Sequence, residues 1–440
     1  MRQSLAGMSD FSSGYKRLVA DKKLNGEMEV QEGKCPITFA GYIFVAQKAL
    51  KMTADFHLSM FAHLFLLLCW NLMARSVSVC TIMLQHISWE QDSMVVTTPK
   101  HKGDQEGNNC YPKHVFANTD NPTICPILSM AILFFGGGWQ RIGAKHLLFR
   151  GTATEGRFSK WLKGIMRTSV ESMITMGTVA FDIGTHSFRK GVATFVAGSV
   201  GGPSPISIFL RAGWSLGIVT SRYIFTGQGG DQFVGRAATG LPLTDRAFAS
   251  LPPHFLPDEP LLTDVIWRDI LPKYGGLPAS FKAALPYLLA SLVYHKTFLI
   301  STLCSDHPIF LSRVWTTGII NDLSSKVLAG CGRNPISQMA ATGIPPTLVL
   351  ANQMDMLSEK VTRLEDNFQT RQDEFVETLS SNVETLSSKL DQLPETISCH
   401  IRNCLQVTGA VSATSGDVSS IVSTMLVGVQ KTLLDAITEA

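Results

Sequence analysis

Residues 60–74, MFAHLFLLLCWNLMA, constrain the fold more than any other stretch of this chain. Their large apolar side chains would cover every face of a helix, and such a helix is stable only where protein surrounds it. A bilayer span needs about 20 largely apolar residues. This run is fifteen residues long and contains His63 and Asn71. A second apolar run, residues 284–304, is interrupted by His295 and Lys296. Both runs are expected to be buried helices, with no membrane involved. A chain of 440 residues, 45% apolar and 17% charged, has room for a core that encloses them and for two or three domains.

The pattern around this centre sets the fold class. Phe39, Tyr42, Ile43, Ala46 and Leu50 recur at helical spacing, and residues 55–80 continue as a buried helix pair. The period then changes. Residues 86–89 (HISW) and 93–98 (SMVVTT) are β-branched or aromatic runs separated by Glu90-Gln91-Asp92, which predicts a strand, a turn and a strand. A polar loop follows, with a third strand near residues 114–117. Residues 126–245 return to a helical pattern, broken at Gly136-Gly137-Gly138 and Gly201-Gly202-Pro203. Together these features predict an α+β, mainly α-helical domain with a small antiparallel β-sheet over residues 35–245. A flexible arm is expected at 1–34 and a separate helical region, packed on the first domain, at 246–345.

Beyond Gly343-Ile344-Pro345-Pro346, the residues Leu350, Met354, Leu357, Val361, Leu364 and Phe368 step by four and three, as the core positions of a coiled coil do. Arg371 takes the next core position, and Phe375 follows. A stutter through Leu379 and Val383 comes next. The stepping resumes at Leu386, Leu390 and Leu393, and Pro394 is expected to stop it. The prediction is a coiled coil over 346–393, which implies a homo-oligomer, and a tail over 394–440 with one amphipathic helix. A single helix packed on its own chain would show the same stripe.

Charge is divided unevenly. Residues 1–245 carry 24 basic and 16 acidic side chains, whereas residues 246–440 carry 14 and 19. The first half therefore suits a polyanionic partner. The densest run holds Arg141, Lys145, Arg150, Arg157, Lys160, Lys163 and Arg167 against one acid, Glu155. By itself this is as consistent with a solvated face as with nucleic acid. The nine cysteines form no CxxC pair and no zinc-ligand spacing. With no secretory signal, this favours a reducing, intracellular compartment.

Chemistry concentrates between residues 184 and 225. His186 and Arg189 form a HisxxArg at the start of a helical pattern, THSFRKGVATF. Gly213-Trp214 lies 28 residues after His186, and Arg222-Tyr223 brings a tyrosine nine residues after Trp214. Each piece alone is more often structural: a core tryptophan, a buried tyrosine, a chance pairing. In this order and spacing they resemble the tyrosine recombinases and integrases. That family also has an arginine far upstream, before a small sheet, and a lysine in the hairpin of that sheet. Arg75 occupies the first place, and Lys102, 27 residues on, the second, with Lys100 as the neighbour that could replace it. Short segments such as WNLMARS, PKHKGDQEG and GTHSFRKG give the chain a further likeness to recombinase-like proteins of eukaryotic mobile elements of the Crypton type.

The resemblance covers residues 35–245 and implies DNA cleavage and rejoining through a 3′-phosphotyrosine. Tyr223 would be the nucleophile. Arg75 and Arg189 would clamp the phosphate oxygens. His186 would assist, Trp214 would donate an indole N–H, and Lys102 would protonate the leaving oxygen. It implies double-stranded DNA as partner, no cofactor and no metal. It also implies a nuclear location in a eukaryote and a synapse of several subunits. Lys100, Arg141, Lys145, Arg157, Lys160, Lys163, Arg167, Lys190, Arg211 and Arg222 are candidate DNA contacts. Where many members carry an acid, three residues after the arginine, this chain has Ser78. The family's N-terminal core-binding domain is expected to be absent or truncated, leaving residues 1–34 as its remnant. A domesticated DNA-binding scaffold with the same fold is the alternative. A type IB topoisomerase fits less well, because it lacks the histidine and places its coiled coil before the tyrosine.

Overall fold

The computed structural model describes residues 14–27, 34–98, 111–137, 139, 146–214 and 230–407, with scattered positions between 420 and 431. The protein is α+β and mainly helical, with small antiparallel sheets. Residues up to Leu350 form one compact unit, and residues from Ala351 onward form another.

Helices α1 (Phe39–Leu50) and α2 (Phe56–Asn71) both begin at side-chain caps. The Thr38 hydroxyl accepts from the Gly41 N–H at 3.1 Å, and the Asp55 carboxylate from the Leu58 N–H at 3.0 Å. Each cap satisfies a backbone donor that the helix itself leaves free. As its composition requires, α2 is enclosed, buried from Ser59 to Asn71. It packs against α1 and against α4 (Pro126–Phe135) and α6 (Thr185–Gly198).

Within α2, the buried His63 and Trp70 find partners, and the Asn71 amide donates to the Leu67 carbonyl at 2.9 Å. His63 bonds to the Thr123 carbonyl and the Ser129 hydroxyl, both at 2.8 Å. Burial lowers its pKa to about 4, so the ring is neutral. Trp70 donates to the Ala238 carbonyl at 2.8 Å and stacks on Tyr42, with ring centroids 4.1 Å apart. The interrupted apolar run thus owes its polar residues to the helices that cover it.

The hairpin forms as the period predicts. Strands β1 (Ile87–Glu90) and β2 (Ser93–Thr97) pair antiparallel, with Glu90 opposite Ser93, and Gln91 in the turn takes a left-handed conformation at φ 51°. The third strand, β3 (Pro112–Val115), pairs with β2 and begins two residues earlier than the pattern indicated. This shift places Lys113 on the sheet, opposite Val96.

Residues 246–345 differ from the all-helical expectation in one respect. They contain a two-stranded antiparallel sheet, β4 (Ser250–His254) with β5 (Leu328–Cys331). Pro252 and Pro253 in β4 remove ladder donors and put a register irregularity between Leu251 and His254, which hides the strand period. Apart from connecting turns and an isolated bridge between Arg333 and Ala340, the rest of this region's regular structure is helical. Its apolar helix Leu285–Tyr294 packs on α4 and β4, and Tyr287 stacks on Trp89 of β1 with centroids 3.8 Å apart. No single described helix is long and apolar enough to cross a membrane. The helices Ala279–Tyr294 and Lys296–Thr302 pass that test only together, and they are bent by 60°.

One buried ion pair joins the two sheets. Asp92 in the β1–β2 turn meets Arg236 of α8 (Asp231–Ala238), and both side chains are fully enclosed. Arg236 also donates to the carbonyls of Phe248, Ser250 and Thr342 at 2.8–3.0 Å. Removing one partner of a buried pair costs about 3–5 kcal/mol, because the other charge is left unpaired. Asp92→Ala is therefore expected to lower the unfolding free energy by at least ~3 kcal/mol. Denaturant unfolding checks this, and a loss below ~1 kcal/mol would show that the pair does not hold the sheets together.

Candidate phosphate-binding site

The site lies where the end of α2, the edge of the sheet, α6 and the end of α7 (Pro205–Ala212) meet. Arg75, Lys113, Arg189 and Arg211 line a small pocket of about 50 Å³ there, with Ser78, Thr98, Tyr111 and Asp231.

Each cation reaches the pocket for a local reason. After α2 the chain reverses at Met73, which takes φ 48°, and the Ala74 N–H returns to the Cys69 carbonyl at 3.2 Å. Arg75 leaves this reversal in an extended conformation and heads α3 (Ser76–Cys80). The Ser76 hydroxyl donates to Glu155 in the first turn of α5 (Thr154–Thr168), which holds the start of α3 in place. Among the described residues, the Arg75 guanidinium has no hydrogen-bond partner. Lys113 extends from β3 and donates to the Leu72 carbonyl at 2.9 Å, at the carbonyl end of α2 where a cation is favoured.

Arg189 is buried on α6 and donates to the Ala212 carbonyl. Its guanidinium lies 5.6 Å from the ring of Trp214. Gly213 sets that contact. It ends α7 at φ 63°, a left-handed cap that glycine adopts without a Cβ penalty, and the Trp214 N–H then bonds to the Phe209 carbonyl at 2.9 Å. The Gly-Trp pair in the sequence is thus a helix stop that lays an indole against an arginine.

Arg211 departs from its expected role as a surface DNA contact. It is buried, ion-paired with Asp231 at 2.5 Å, and donates to the carbonyls of Asn71 and His114 at 2.7 and 2.8 Å. Asp231 also accepts from the His114 N–H at 2.9 Å. A side chain with so many internal partners is a strut between α7, α8, β3 and the end of α2. It acts on the pocket through its charge.

The electrostatics follow from this crowding. Burial lowers the Lys113 pKa to about 7, helped by Arg211, Arg189 and Arg75 and opposed by Asp231. Burial and then Arg75 lower that of Arg189 to about 10. The one carboxylate in the pocket lining, Asp231, is engaged by Arg211 and His114. Buried cations in excess of carboxylates give the described lining a net positive character, which suits an oxyanion.

Of the residues singled out in the sequence, Arg75 and Arg189 are brought together, and Trp214 packs on Arg189. His186 is exposed in the first turn of α6, one turn before Arg189. Arg157, Lys160, Lys163 and Arg167 are exposed on α5, whose other face buries Phe158, Trp161, Leu162 and Met166. Arg157 also stacks on Phe61 at 4.6 Å. Lys190 is exposed and donates to the Lys34 carbonyl at 2.6 Å. Lys100, Lys102, Arg141, Lys145, Arg222 and Tyr223 lie outside the described residues. Sequence reasoning missed Lys113. The available signal was its place just after the polar loop, one residue before the expected start of the strand. Among the described residues, no group of three His, Cys, Asp or Glu side chains could hold a metal ion. No family model matches the chain, and no curated protein matches it.

The lowered Lys113 pKa has a measurable consequence. Between about pH 7 and the unfolded value of 10.5, the unfolded chain holds a proton that the folded chain lacks, so this group makes stability rise with pH across that window. Lys113→Met is expected to flatten the rise. Denaturant midpoints measured from pH 7 to 10 for both proteins check it, and parallel curves would show that the lysine is not strained by its cationic neighbours.

Proposed function

We propose that this protein cuts and rejoins DNA strands through a 3′-phosphotyrosine intermediate, as a tyrosine recombinase of mobile-element origin. The observation that supports the reading best is the convergence of Arg75 and Arg189. They stand 114 positions apart in the sequence, yet they line one pocket with Lys113, and Trp214 lies against the second of them.

Phosphoryl transfer from DNA to a tyrosine needs little covalent help beyond the nucleophile. As Tyr223 forms its bond to phosphorus, negative charge grows on the non-bridging oxygens and the 5′-oxygen leaves. Among the described residues the Arg75 guanidinium is uncommitted and would serve those oxygens, and Arg189 would add the donors not used by Ala212. The Trp214 indole supplies a further N–H but cannot carry a proton. His186, exposed at the start of α6, would assist the tyrosine or the phosphate, as the resemblance implies. The exposed cations of α5 would bear on the DNA backbone outside the pocket.

The leaving oxygen needs a proton. The resemblance gives this task to Lys102 or Lys100, and the pocket adds Lys113. An ammonium with a pKa near the working pH transfers protons best, and that of Lys113 is about 7. Arriving phosphate raises it again and keeps the group protonated until transfer.

A pool of nicked duplexes that trap the covalent complex tests the reading. The wild-type chain is expected to form an adduct that resists denaturation, Tyr223→Phe to form none, and Arg189→Ala to form it about 100-fold more slowly. A bridging 5′-thiolate leaving group needs no proton, so it should restore the rate only to the lysine variant, among Lys100, Lys102 and Lys113, that has lost the general acid. An adduct undiminished in Tyr223→Phe removes the assignment.

A further inference from the structure

The helix α9 (Pro346–Val407) carries an apolar seam that the described residues leave exposed. Leu357, Val361, Leu364 and Phe368 are 60, 52, 67 and 71% exposed. The opposite face is polar and already satisfied within the helix: Arg363 pairs with Glu359 at 3.6 Å, and Gln369 donates to Asp373 at 3.0 Å. A helix in water gains most of its stability from packing an apolar face. We propose that α9 forms a parallel, in-register, two-stranded coiled coil with a second copy of this chain.

The occupant and its direction follow from the residues flanking the seam. Leu357 and Leu364 fall at position d and Val361 at position a, the combination that favours two parallel strands. In that pairing each g residue faces the e residue five positions on in the partner chain. Lys360 then faces Glu365 and Asn367 faces Gln372, each twice by symmetry, and no like charges meet. An antiparallel pairing that brings Lys360 to Glu374 sets Glu365 against its own copy. The second copy is therefore matched by charge as well as by shape.

Arg371 completes the argument. It occupies a core d position between the a residues Phe368 and Phe375. A single charged core residue lowers the stability of a coiled coil, and a shifted or reversed partner would have to bury it against leucine or valine. In register, the two arginines share one layer and reach out past the seam. The seam thus gives up some affinity for a fixed alignment.

The test uses the full chain with Cys304, Cys399 and Cys404 replaced by serine. Light scattering is expected to give the mass of two chains. Leu357→Cys is expected to crosslink to itself under mild oxidation. In a variant carrying both Leu357→Cys and Phe375→Cys, the 357–375 bond that an antiparallel dimer would form is expected to be absent. Leu357→Lys with Leu364→Lys should yield monomers with unchanged folding of the rest of the chain, since both positions are exposed within one chain. Arg371→Leu should raise the temperature at which the dimer dissociates. A monomer at all accessible concentrations overturns the proposal. So does crosslinking of the 357–375 pair in place of the 357–357 pair, or a dimer that survives the double lysine variant. None of these outcomes depends on DNA chemistry, so they separate from failure of the recombinase reading.

Discussion

The buried Asp92–Arg236 pair is the interaction on which the described unit depends. Arg236 is a cation in the interior, where burial lowers its pKa. Asp92 opposes that shift, three carbonyls accept from the guanidinium, and it lies 4.3 Å from the Phe116 ring. Asp92 is held in turn by the N–H and hydroxyl of Thr342, at 3.0 and 2.6 Å. The turn of the first sheet, helix α8, the start of the second sheet and residue 342 therefore share one network. Such a network is costly when incomplete and specific when complete.

That network also fixes the pocket at one remove. Arg236 and Asp231 belong to the same helix, so anchoring α8 on the sheet delivers Asp231 to Arg211 and to the His114 N–H. The pocket's cations repel one another, and the fold supplies what keeps them together. Helix ends receive Lys113 and Arg211, a carbonyl and an indole receive Arg189, and a short helix carries Arg75. A mutation far from the pocket, at Asp92, should therefore reach it through α8.

Much of this was legible in the sequence, and the failures have physical causes. The apolar run around Leu64–Leu68 dictated an enclosed helix, and the β-branched runs on either side of Gln91 dictated a hairpin. Both are local signals that burial reinforces. Arg75 and Arg189 were found because residue type and order survive in a single chain. Lys113 was not, because its importance comes from burial among distant charges, which no local pattern records. Arg211 looked like a surface charge for the same reason: its partners Asn71, His114 and Asp231 come from three remote segments. The strand Ser250–His254 was hidden by its two prolines, and Pro394, expected to stop the last helix, lies inside it. One missing donor does not end a helix that other bonds continue.

The bond from Lys113 to the Leu72 carbonyl couples the pocket to the solution in a further way. With a pKa of about 7, this lysine is only partly protonated near neutrality when the pocket is empty. An oxyanion beside it favours the charged form, so each binding event near neutral pH draws in a fraction of a proton from water. Occupancy and protonation are then one linked equilibrium. On the proposed reading, affinity for the anion would weaken as the medium becomes alkaline, and the heat of binding would vary with the ionisation enthalpy of the buffer. On the proposed reading, a pocket of fixed positive charge would also be, through one crowded lysine, a proton store that fills as phosphate binds.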